Sequence, residues 1–115
     1  MQARTSSRVR ITAHGSAKSP RGATWDIQFD DLSEGGCRVD DPRHGLELGA
    51  VVKLTIAGTG PHHSEVAWRQ GDRVGLEFMR PISEGVFSAM AEGDWDKARE
   101  LSADQIGRFP IRRVL

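Results

Sequence analysis

The chain has no tyrosine, a single cysteine and no excess of charge, its 16 lysines and arginines being balanced by 16 acids over 115 residues. Each shortage closes off a class of function. One cysteine, Cys37, cannot form an internal disulfide, so no oxidising compartment is implied and a place in the core is expected for it. A formal net charge of +0 provides no bulk attraction to nucleic acid or to an anionic membrane. No apolar run approaches the ~20 residues that cross a bilayer, and the start lacks the apolar stretch of a secretory signal, so a cytoplasmic protein is expected. A barrel that binds single-stranded nucleic acid needs aromatic platforms along a basic groove. With no tyrosine, and with Trp25 and Trp68 at inward positions of alternating segments, those platforms are not expected here. There is no GxSxG elbow, no glycine-rich P-loop and no HExxH spacing. The pair His62-His63 lies in a glycine-rich stretch with no cysteine nearby to complete a metal site. The expectation is a binding protein, not an enzyme, without metal or cofactor.

What the chain has in quantity is alternation. Its 37% hydrophobic content suffices for one modest core, hence one domain. Val9, Ile11 and Ala13 alternate with Arg8, Arg10 and Thr12, which predicts a first strand; Gly15 to Gly22 then reads as a loop. Trp25, Ile27 and Phe29 face one way and Asp26, Gln28 and Asp30 the other in a second strand over Thr24 to Asp30. Cys37 and Val39 continue as a short third strand, ended by Asp41-Pro42. Val52, Leu54 and Ile56 mark a fourth, closed by Gly58, Gly60 and Pro61; Val66 with Trp68, and Val74 with Leu76 and Phe78, mark the last two. Six strands at this spacing predict a small antiparallel barrel or sandwich. After Pro81 the period changes. Ser83 is placed to cap a helix carrying Val86, Phe87 and Met90, and a second helical stretch begins near Asp94, with Gly93 between the two.

Charge is unevenly placed along the chain. Five basic residues and no acid precede Trp25, whereas Asp26 to Glu47 carries seven acids against two arginines. A locally cationic arm on a neutral protein suits a small anion better than a long polyanion. The stretch Asp30-Asp31-Leu32-Ser33-Glu34-Gly35-Gly36-Cys37 reads as a ligand-binding turn. Asp31 and Ser33 supply polar atoms, and Gly35 and Gly36 permit positive φ or a close approach.

Two motifs carry a resemblance. Arg4-Thr5-Ser6-Ser7-Arg8 fits an RxxxR pattern just ahead of the first strand, and Asp31-Leu32-Ser33-Glu34-Gly35-Gly36 fits [DN]xSxxG after the second. Together with Val66-Ala67-Trp68 and Val74-Gly75-Leu76-Glu77-Phe78, they make the chain resemble the PilZ domain family, bacterial receptors for cyclic di-GMP, over nearly its whole length. The resemblance implies a mainly all-β fold: a six-stranded antiparallel barrel over residues 9–80, preceded by a flexible arm, 1–8, and followed by a helical segment and tail, 81–115. It implies Arg4, Arg8, Asp31, Ser33 and Gly36 as ligand-binding residues. It also implies an arm that closes over the nucleotide and changes a surface read by a downstream protein partner. The chemistry is apt, because an arginine fork takes guanine O6 and N7 bidentately and pairs with phosphate, and a carboxylate accepts from guanine N–H groups. Arg10, sharing parity with Arg8, is a further candidate, for which a solvated outer position is the favoured reading. The rival reading is a PilZ-fold interaction module that acts through the carboxyl-terminal helix and tail with weak or no nucleotide response.

Overall fold

The computed structural model describes residues 8–107. Six strands close into an antiparallel barrel in the order β1-β2-β3-β6-β5-β4, with β1 Val9–Lys18, β2 Thr24–Ser33, β3 Gly36–Asp40, β4 Val51–Ile56, β5 Thr59–Gln70 and β6 Arg73–Phe78. Closure joins β1 to β4 and removes the unpaired edges an open sheet would expose. Inward residues of every strand meet in one core, where Phe29, Leu32, Val39, Leu54, Ile56 and Val74 are fully buried. Each such side chain contributes about 1.5–3 kcal/mol by leaving water.

The first strand runs further than its alternation predicts. Gly15 and Ser16 do not begin a loop; they pair with Ile56 and Thr55 and form part of the closing seam. Gly15 makes this possible, because a Cβ there would overlap the Thr55 carbonyl oxygen. Only the backbone of glycine lets the two strands come so close. The β4–β5 hairpin also differs from the sequence reading. Its turn is Ala57-Gly58, with φ values of 48° and 85°, so the chain has already reversed before Gly60 and Pro61, which lie at a register irregularity within β5.

Two helices follow the barrel. In α1, Glu84–Ala91, Ser83 caps the first turn by accepting from the Val86 amide at 3.2 Å, and Val86, Ala89 and Met90 are buried. In α2, Trp95–Gly107, Asp94 accepts from the Lys97 amide at 3.2 Å and Ala98 is buried against the rest of the protein. Arg99 donates to the Ala57 carbonyl at 2.8 Å, tying α2 to the β4–β5 turn. No helix among the described residues is long and apolar enough to cross a membrane.

Candidate functional site

The β2–β3 hairpin turns through Glu34-Gly35, which pairs Ser33 with Gly36, Leu32 with Cys37 and Asp31 with Arg38. A bulge between Phe29 and Asp31 sets two residues of β2 against one of β3. Asp30 and Asp31 consequently both approach Arg38. Asp30 accepts from Arg38 Nε at 2.9 Å and stands 3.4 Å from Arg73 Nη1. That bond to Asp30 chiefly holds the Arg38 guanidinium above its ordinary pKa.

Asp31 is placed differently from its neighbour. It is buried, and its Oδ1 accepts no hydrogen bond among the described residues. Among the described residues its charge is met by longer contacts, Arg8 Nε at 3.3 Å from Oδ1 and Arg38 Nη2 at 3.8 Å from Oδ2. The Arg8 side chain is 58% exposed, so this fork remains open to solvent. Ser33 turns its hydroxyl to the Gly36 carbonyl at 3.4 Å, and Gly36 is buried. Neither Gly35 nor Gly36 has positive φ. What Gly36 supplies is closeness, since a Cβ there would overlap the Leu76 carbonyl oxygen of β6. The turn is fastened from outside as well: its Gly35 and Glu34 carbonyls accept from the amides of Phe78 at 2.8 Å and Ile82 at 2.9 Å.

Of these groups Arg8, Ser33 and Gly36 line a cleft of about 490 Å³, together with Trp68, Gly75 and Glu77 among others. Trp68 corrects the sequence reading. Strict alternation from Val66 would carry it inward, but the register of β5 against β6 slips between Val66 and Trp68. The indole is therefore outside the barrel, 39% exposed, lying over Gly75, where a Cβ would collide with it. Trp25, by contrast, is partly buried against the core, although its Nε1 finds no acceptor among the described residues. Cys37, also on the cleft lining, is buried, and burial first, then the charges of Asp31 and Asp30, push its thiol far up. It is inert packing at neutral pH.

Of the five residues expected to bind ligand, the structure brings Arg8, Asp31, Ser33 and Gly36 to one hairpin and its rim; Arg4 lies outside the described residues, as does the tail from Arg108 onward. Arg10 is exposed and makes no ion pair among the described residues, in keeping with a solvated position. Arg38 has no place in the sequence reading, and Trp68 is set aside there as core. Arg38 was legible in principle, because a two-residue turn at Glu34-Gly35 counts back to an Asp31–Arg38 pair. Trp68 was not, since its bulge leaves no mark in the local pattern. The arrangement offers exposed guanidinium forks, a buried carboxylate seeking donors, and a flat apolar wall. Such a set suits a ligand that is both anionic and built of planar, hydrogen-bonding rings. Among the described residues no cluster of histidine, cysteine or acid is arranged to hold a metal.

A family model for the PilZ domain matches residues 2–92. Among solved structures, the chain is similar to the crystal structure of YcgR in complex with c-di-GMP from Escherichia coli, with a TM-score of 0.56 and 18% identity over 92% of this chain and 51% of that one. It is similar also to the PilZ domain of Escherichia coli YcgR with c-di-GMP, with a TM-score of 0.54 and 14% identity over 93% of this chain and 99% of that one. It spans about half the length of the whole YcgR chain, and at these identities the likeness is one of fold. No curated protein matches the sequence.

Proposed function

The chain belongs to the PilZ domain family, and from that premise and the chemistry of its cleft we propose that it is a bacterial receptor for cyclic di-GMP, acting by binding and not by catalysis. The observation that carries the reading is Asp31: a buried carboxylate, accepting no hydrogen bond on Oδ1 among the described residues, that faces two arginines, one of which, Arg8, lines the cleft. The two YcgR structures that share the fold contain c-di-GMP, which agrees with it.

In this reading Asp31 accepts from guanine N1–H and N2–H. Arg8 exchanges its ion pair with Asp31 for guanine O6 and N7 or a phosphate, charge-assisted bonds that are stronger than neutral ones. Arg4 supplies the second fork as the arm closes over the nucleotide. Ser33 presents its hydroxyl at the turn, and Gly36 keeps the hairpin close to β6 so that a base has room beside it. Trp68, on the far wall, offers a face for stacking. The ordering of the arm is offset by these bonds, and the altered surface is what a downstream protein reads. A second messenger acts inside the cell, so the reading carries a cytoplasmic location with it.

Calorimetric titration of cyclic di-GMP into the protein, with GTP and cyclic di-AMP as controls, tests the reading. Saturable binding selective for cyclic di-GMP is expected. A bidentate arginine contact is worth about 1–3 kcal/mol, so Arg8→Ala should weaken it by roughly tenfold or more. Absence of heat at high ligand would overturn the reading and leave an interaction module of the same fold.

A further inference from the structure

On the other wall of the barrel, β1, β4 and β5 present an outer face that shares no residue with the motif cleft. Lys18 stands directly opposite Lys53 in the β1–β4 pairing, and Lys53 directly opposite His63 in the β4–β5 pairing. Like charges facing each other across an antiparallel pair oppose the pairing. Neither lysine, nor Arg21 in the adjoining turn, forms an ion pair among the described residues. These three cations and His63 border a hollow of about 410 Å³. Register brings Glu65 to the same side, opposite Val51, and it too is without an ion pair among the described residues.

A second hollow, about 600 Å³, adjoins the first, with Val51 and His63 lining both. Its lining is mainly apolar, and two large apolar side chains on it are exposed, Val51 at 41% and Met79 at 59%. One continuous face thus joins unneutralised cations to apolar surface in contact with water.

We propose that this face docks an acidic segment of a partner protein, which seats an aliphatic or aromatic side chain in the apolar hollow and sets its carboxylates against Lys18, Lys53 and Arg21. Charge complementarity selects an acidic occupant, and the concavity of the apolar part selects a side chain that enters it over a flat lipid surface. Three cations beside an apolar hollow also suit a short segment better than a polyanionic strand, whose affinity grows with the number of phosphates neutralised. The proposal does not depend on the nucleotide.

The test selects peptides from a displayed library of short random sequences on the full chain, counter-screened against the double variant Lys18→Glu/Lys53→Glu, and titrates the recovered peptide by fluorescence anisotropy. Recovered sequences are expected to combine acids with an apolar anchor. The double variant should weaken the recovered peptide by roughly tenfold and added salt should weaken it further. Met79→Ser should weaken it separately, whereas Trp68→Ala should leave it unchanged. Melting curves of the variants establish that each is folded. Failure to recover any peptide that separates wild type from the double variant overturns the proposal. So does saturable binding to phosphatidylserine vesicles that the double variant loses, because the face would then belong to a membrane.

Discussion

Two buried aspartates, ten residues apart, have different surroundings. Asp41, just beyond β3, has one carboxylate oxygen bonded by the protein's own groups, while its Oδ1, like that of Asp31, accepts no hydrogen bond among the described residues. Its Oδ2 accepts from the Leu46 amide at 2.9 Å and from Arg69 Nη1 at 3.3 Å, and its own amide donates to the Asp72 carbonyl at 2.7 Å. Arg69 donates onward to the Leu46 carbonyl, the Gly71 carbonyl and His44, whose Nε2 lies 3.0 Å from Asp72. The net staples the loop after β3 to the β5–β6 turn. The Asp31 carboxylate accepts no hydrogen bond among the described residues; it faces two arginines across longer gaps, and one of them, Arg8, lines the cleft. Burial of a carboxylate therefore does not by itself mark a ligand site. The groups already bonded to it make the distinction.

The largest effect that would break this contrast is on stability at Asp41. Asp41→Ala strands Arg69 and the Leu46 amide, and a loss of about 3 kcal/mol is expected in urea unfolding, with cyclic di-GMP affinity unchanged under conditions where the variant stays folded. If affinity fell along with stability, the division between staple and site would be lost. A pH series separates a third group from both aspartates. His62 packs against Phe78 with ring centroids 5.5 Å apart, and burial lowers its pKa to about 4 from 6.5. Above about pH 6.5 it is neutral folded and unfolded alike. As pH falls from there toward about 4, the unfolded chain takes up a proton that the folded chain refuses, so stability drops, by about 2 kcal/mol at about pH 5. His62→Gln should flatten that part of the curve; an unchanged slope would assign the acid loss elsewhere.

At the site the effects should fall on binding. Asp31→Ala is expected to weaken cyclic di-GMP by roughly tenfold while moving the unfolding midpoint little, because among the described residues its side chain accepts no hydrogen bond and meets only longer ion pairs. An unfolding loss as large as that of Asp41→Ala would make the two acids alike. The smallest change expected is Trp68→Ala, about fivefold in affinity from the loss of one stacked base, followed by the quenching of tryptophan fluorescence on titration in wild type and its reduction in the variant.

Much of this was legible beforehand. Period-two runs located all six strands, Ser83 and Gly93 located the helices, and the Asp31-to-Gly36 motif located the hairpin that carries the candidate site. The errors have one physical origin. Gly15 read as a loop because glycine breaks local pattern, yet it is in a strand because Thr55 from β4 must pass close to it. Trp68 read as core because alternation has no memory of a bulge. Arg38 went unnoticed as a partner of Asp31 because pairing is a relation between strands and not a property of either.

The sequence by itself determined what depends on near neighbours: which residues alternate, where a turn reverses the chain, where a hydroxyl caps a helix. Those preferences act through backbone and side chains a few positions apart and are written in the order of residues. Only the tertiary structure decided which strands meet, where the ladder slips by one, and so which side chains face the cleft. A single slip in register moves a side chain from core to solvent, and the packing of distant strands against one another fixes where that slip occurs.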